Sequence, residues 1–133
     1  MKLNIITDNS QRIENYNNIA IVNGDVNLLD VSDGECENVI LSSCNLLDFS
    51  CLTNCIKKVS VGGQLNLQGL DLRMFCRQVM DQAVREEEAS TLIQLSKTVI
   101  PARSMCQILS SQGFEIETMN INGAYYQICA KRN

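Results

Sequence analysis

Apolar and polar residues change their spacing along the chain, dividing it into alternating extended and helical segments. Lys2 to Thr7 sets Leu3 and Ile5 around polar Asn4, the period-two pattern of a short strand. Asn18 to Asn23 holds the compact run Ile19-Ala20-Ile21-Val22, a stronger strand signal that Gly24-Asp25 ends. Between the two, Ser10 is placed to cap one helical turn through Tyr16, but the asparagine-rich composition makes that helix weak. Asp30 to Glu37 is turn-like and acidic. It leads into Asn38-Val39-Ile40-Leu41-Ser42, a nearly continuous apolar run of the kind found in buried parallel strands, with Ser42, Ser43 and Cys44 at its carboxyl end.

From Leu46 to Lys58 the spacing becomes helical, with Phe49, Leu52, Ile56 and Val59 recurring and Lys57 and Lys58 in the last turn, where cations suit the helix dipole. Val61-Gly62-Gly63 reads as a tight turn, and Gln64 to Leu70 alternates cleanly as a strand. Asp71 is a good N-cap for the clearest helix in the chain, whose stripe of Leu72, Phe75, Cys76, Val79, Met80, Ala83 and Val84 predicts a face turned to a core. Glu86, Glu87 and Glu88 suit the first turn of a further helix with Ala89, Leu92 and Ile93 as its apolar side. Pro101 stops or restarts the pattern, and Met105, Ile108 and Leu109 give a short helix closed by Gly113. Phe114 to Asn120 and Ala124 to Lys131 are then two extended segments joined through Ile121-Asn122-Gly123, and Asn-Gly between strands signals a hairpin. Strands alternating with helices predict a three-layer α/β domain, its mostly parallel sheet connected by right-handed crossovers and finished by a C-terminal antiparallel hairpin.

Composition narrows the function. A chain of 133 residues, 45% hydrophobic and 20% charged, suits one globular domain over residues 1–133. Eleven basic against 15 acidic side chains leave a net charge of −4, so no nucleic-acid partner and no anionic membrane surface is expected. There is no histidine, which excludes His-based triads and His-ligated zinc. The N-terminal segment lacks the pattern of a signal peptide and no run is long enough to span a bilayer, so the expected location is cytoplasmic. The seven cysteines are scattered and mostly flanked by apolar residues, as befits reduced, buried thiols. Cys51 and Cys55 would share a helix face, but no CxxC or histidine completes a ligand set, and no metal is expected.

Several segments, in this order, resemble the carboxyl-terminal two-thirds of a class I S-adenosylmethionine-dependent methyltransferase. Val22-Asn23-Gly24-Asp25 resembles the end of that family's third strand, and Asn38 to Ser43 its fourth. Lys57 to Leu65 resembles the turn with paired glycines before the fifth, Gly113-Phe114-Glu115-Ile116 the start of the sixth, and the closing hairpin the reversed seventh. The resemblance implies a reduced Rossmann-like fold and S-adenosylmethionine as the cofactor, with Asp8, Gly24, Asp25, Ser42, Ser43 and Cys44, along with Asp71, as its candidate neighbours. The glycine-rich loop that lets backbone approach such a cofactor has no counterpart, since no glycine precedes Gly24. Too few residues precede Val22 for two full strand-helix units, so the first strand and its helix are expected to be missing, or Lys2 to Thr7 to be a shortened early strand.

Two functions follow. One is a truncated, degenerate methyltransferase-like domain that serves assembly or regulation as a homo-oligomer or with a partner protein, or that completes its cofactor site with a partner chain. The other is an active methyltransferase with a reduced pocket, for which positioning of donor and acceptor matters more than a histidine base. No residue stands out as catalytic, and Cys44 has neither a base nor a cation beside it in the sequence.

Overall fold

The computed structural model describes residues 1–133. Its strands are β1 (Lys2–Ile6), β2 (Asn17–Ala20), β3 (Cys36–Leu41), β4 (Val59–Leu70), β5 (Phe114–Asn122) and β6 (Tyr125–Arg132). The helices are α1 (Phe49–Lys57), α2 (Leu72–Met80), α3 (Glu86–Leu95) and α4 (Ala102–Ser111), and single 3-10 turns lie at Asn9–Gln11 and Cys44–Leu46. The strands form one six-stranded sheet in the order β2-β1-β3-β4-β6-β5. The first four are parallel, and β6 runs antiparallel to both of its neighbours. This is the α/β class with the C-terminal antiparallel hairpin that the hydrophobic pattern predicts.

Register explains how one face of this sheet becomes a core. Leu3 pairs with Val39, Val39 with Leu65 and Leu65 with Ala130, while Ile5, Leu41, Leu67 and Ile128 form the next row. All eight are at most 1% exposed. Because side chains alternate across a strand, these rows share one face. α1 covers it through Cys51, Leu52, Cys55 and Ile56, and α4 through Ala102, Met105 and Leu109. Val26, Leu28 and Val31, from the segment between β2 and β3, join the same cluster.

The two outer layers are unequal. On the other face the sheet presents Asn4, Asn38, Asn66, Gln64, Gln68 and Gln127. Over β1 it is covered by the connection through residues 7–16, which lies against Asn4 through a 2.8 Å hydrogen bond from Asn4 Nδ2 to the Gln11 carbonyl. Asn4 Nδ2 also donates to Asn18 Oδ1, and Asn38 Nδ2 donates to the Tyr16 hydroxyl at 3.1 Å. Side-chain amides here hold what a crossover helix would hold by apolar packing. The weak helix expected from Ser10 to Tyr16 is accordingly a single 3-10 turn.

Four further expectations are corrected. α1 begins at Phe49 because Cys44–Leu46 is taken up by its own 3-10 turn. Val61-Gly62-Gly63 is a bulge inside β4, where the pairing with β3 jumps from Cys36–Val59 to Asn38–Gln64. The stripe on α2 buries only Phe75. That helix and α3 sit beyond the end of β4 around a small satellite cluster of Leu70, Phe75, Ala89 and Ala124. Finally, β1 lies beside β3 and β2 beside β1, so in the Rossmann order 3-2-1-4-5-6 they take the places of the first and second strands. The segment before Val22, compared with the third strand, therefore occupies the second position, and it is the outermost third strand that has no counterpart.

Candidate functional site

Open parallel sheets bind ligands beyond the carboxyl ends of their strands, because chain connections diverge there and leave a crevice. In this chain that place is a hollow of about 410 Å³ beyond β1 and β2, lined by Thr7, Ile21, Asn23, Gly24, Leu46 and Lys97. Four connections meet in it, those that follow β1, β2, β3 and α3. Asn45, buried in the 3-10 turn after β3, accepts hydrogen bonds from the backbone N–H groups of Lys97 and Thr98 at 2.7 and 3.0 Å. Its Nδ2 donates to Ser96 Oγ at 3.1 Å. The segment following α3 is thereby pinned against the end of β3, and the Lys97 stem is laid over Gly24.

Gly24 is required by that contact. It has φ +79°, and a Cβ there would lie 3.3 Å from Lys97 Cγ and 3.4 Å from the Leu46 carbonyl oxygen. Its own carbonyl accepts from the Asp48 N–H at 3.0 Å. The Lys97 ammonium makes no ion pair and is the one cation lining the hollow.

The loop after β1 is where the absence of glycine matters. Thr7 N–H donates to Gln11 Oε1 at 2.7 Å, and Ser10 N–H donates to Asp8 Oδ1 at 2.8 Å. The Ser10 hydroxyl also meets Asp8 Oδ1, and Thr7 Oγ1 meets Gln11 Oε1. These hydrogen bonds from Ser10 hold the Asp8 carboxyl below its usual range. A phosphate or cofactor cradle needs backbone N–H groups turned outward and free. Here two of those donors are satisfied by side chains of the same loop, and the residues present do not fit the role of the missing glycine turn.

The remaining candidates are dispersed. Asp25 turns away from the hollow, accepts from Val26 N–H at 2.8 Å and lines a separate groove beside Leu28, Leu29 and Asn54. Ser42 borders a small depression at the sheet surface with Ile40, Gln68 and Gln127, and Ser43 leads into the 3-10 turn without capping it. Cys44 is fully buried, with Sγ 2.9 Å from the Tyr126 hydroxyl. Burial pushes its thiol up to about 11, opposed by the Tyr126 hydrogen bond, and burial raises the Tyr126 phenol as well. A thiol held protonated in this way is a packing group, not a nucleophile. Asp71 is buried and committed to capping α2. Of the residues named from sequence, then, the structure brings only Gly24 to the hollow. Lys97, Asn45 and Gln11 carry no local signal in the sequence, because each matters through a contact made across the fold.

No protein-family model and no curated protein matches the chain. Solved structures do. A protein from Pyrococcus horikoshii is 11% identical over 99% of this chain and 72% of its own, with a TM-score of 0.58. A SAM dependent methyltransferase from Archaeoglobus fulgidus is 12% identical over 96% of this chain and 74% of its own, at 0.56. An O-methyltransferase family protein from Burkholderia thailandensis is 16% identical over 89% of this chain, which spans 36% of that larger protein, at 0.55. Together with the strand order and the reversed last strand, these likenesses show that the chain has the class I S-adenosylmethionine-dependent methyltransferase-like fold.

Proposed function

We propose that the chain is a degenerate methyltransferase-like domain that acts as an assembly or regulatory subunit. One observation carries this reading: the loop after β1, where the fold would hold its cofactor, spends its own N–H donors on Asp8 and Gln11. Opening that loop to S-adenosylmethionine would break four internal hydrogen bonds and leave the Asp8 carboxylate facing the ligand, and the glycine-free backbone cannot approach it closely. No histidine or carboxylate lines the hollow to serve as a general base. A second chain that supplied the missing cradle would complete the site, and this belongs to the same reading.

An active enzyme with a reduced pocket is the second reading, supported by the hollow itself with Lys97 unpaired over it. Isothermal titration of the purified, folded protein with S-adenosylmethionine and S-adenosylhomocysteine separates the two. The expected result is no binding heat by the chain alone. Micromolar binding, lost on Gly24→Val, would overturn the degenerate reading in favour of the active one.

A further inference from the structure

The apolar stripe of α2 is left on the surface. Leu72, Cys76, Val79 and Met80 are all exposed, Met80 to 82%. With about 3.6 residues per turn these four share one side of the helix, roughly a quarter turn from buried Phe75. Cys76 is at the centre of the stripe and is the one exposed cysteine of the seven.

Charge changes sign between this helix and the start of the next. Arg73 and Arg77 flank the stripe and, with Arg103 at the start of α4, line a cavity of about 320 Å³ bordered by Met119 and Ile121. Beyond the last turn come Asp81, then Arg85, and then Glu86, Glu87 and Glu88, which open α3, with Arg85 paired to Glu88 at 3.2 Å. These charges are largely uncommitted within the chain. Arg73, Arg103, Glu86 and Glu87 form no ion pair, and Arg77 reaches Asp81 only at 3.9 Å.

We propose that two copies of the chain pair through α2 about a twofold axis, with the helices antiparallel and each Cys76 facing its symmetry mate. A twofold interface must be self-complementary, and a surface basic at one end and acidic at the other meets that demand in the antiparallel sense alone. Parallel helices would set arginine against arginine and glutamate against glutamate. The exposed Leu72, Val79 and Met80 then find the apolar cover that the rest of the fold withholds, and the arginine-lined cavity receives the partner's acidic turn. The pairing rests on the assembly reading above and supplies its partner.

Sedimentation equilibrium tests the mass, and a short-armed bismaleimide, whose two ends each add one thiol across a C=C bond, tests the geometry. Packed helices lie about 8–10 Å apart, so the paired thiols come within reach of one crosslinker. The wild-type chain is expected at twice its single-chain mass and to crosslink in high yield, with the crosslink abolished by Cys76→Ser. Met80→Glu, at a position exposed in the single chain, is expected to yield a folded monomer by circular dichroism. The chain carrying Arg73→Glu with Arg77→Glu, and the chain carrying Glu86→Lys, Glu87→Lys and Glu88→Lys, are each expected to be monomeric and to recover a dimer when mixed. The proposal is overturned if the wild type stays at single-chain mass at about 100 µM, where even a weak dimer is populated. It is equally overturned by a dimer indifferent to these changes and without a Cys76-dependent crosslink. Neither failure alters the titration with S-adenosylmethionine, and cofactor binding by an intact dimer would sink the degenerate reading while leaving the interface standing.

Discussion

At Gly69 an added methyl group would lie 2.5 Å from Cys44 Sγ and 2.6 Å from the Tyr126 hydroxyl oxygen. The thiol and phenol that bond to each other there close the end of the core, so β4 has no room for a side chain at that point. Gly69→Ala is expected to cost about 1–3 kcal/mol in urea denaturation, the usual range for overpacking. Adding Cys44→Ala removes one of the two obstructing groups, so the double variant should lose less than the sum of the single ones, as neighbouring sites do. Additive losses would mean that Gly69 matters for its backbone conformation and not for its contacts. The sequence marks Cys44 correctly as a strand-end residue. It gives no sign that a tyrosine 82 positions later covers it, and this is why a candidate ligand neighbour turns out to be a buried packing group.

Among the elements, the N-cap role of Asp71 is legible from an aspartate standing before an amphipathic run, and the structure adds a second duty. Its Oδ2 accepts from Met74 N–H at 2.8 Å, which starts α2, and its Oδ1 accepts from Ala102 N–H at 2.6 Å, which starts α4. One carboxylate, 2% exposed, thus anchors two helix N-termini, whose dipoles favour its charge. Asp71→Ala loses a cap, worth about 1 kcal/mol, and strands a second buried donor at about 1–3 kcal/mol, so a total loss of about 2–4 kcal/mol is expected in urea. A loss near 1 kcal/mol would show that α4 starts without this anchor. The periodicity of α2 was equally legible, but periodicity reports only that one side of a helix is apolar. What lies against that side depends on where the helix sits, and α2 sits past the end of β4, out of reach of the main core.

Across the whole molecule, the sheet is two surfaces of opposite chemistry. The alternation from Gln64 to Leu70 already contains them, since Leu65 and Leu67 turn to the helices while Gln64, Asn66 and Gln68 turn to the other side. Strand order was less legible, because a sequence reveals which residues are extended but not which strand a four-residue segment such as β2 will join. The short connection through residues 7–16 decides this, by allowing β2 to reach only its immediate neighbour β1. The contrast between the faces has a direct consequence at two adjacent residues. Leu67 is 1% exposed in the main cluster, so Leu67→Ala should cost about 2–5 kcal/mol in urea denaturation, through lost burial and a residual cavity. Gln68 is exposed on the amide-rich face, so Gln68→Ala should stay within about 0.5 kcal/mol of the parent. A large loss at Gln68 would mean that something packs on this face in solution. The polar sheet would then be a contact surface in its own right, separate from the stripe of α2.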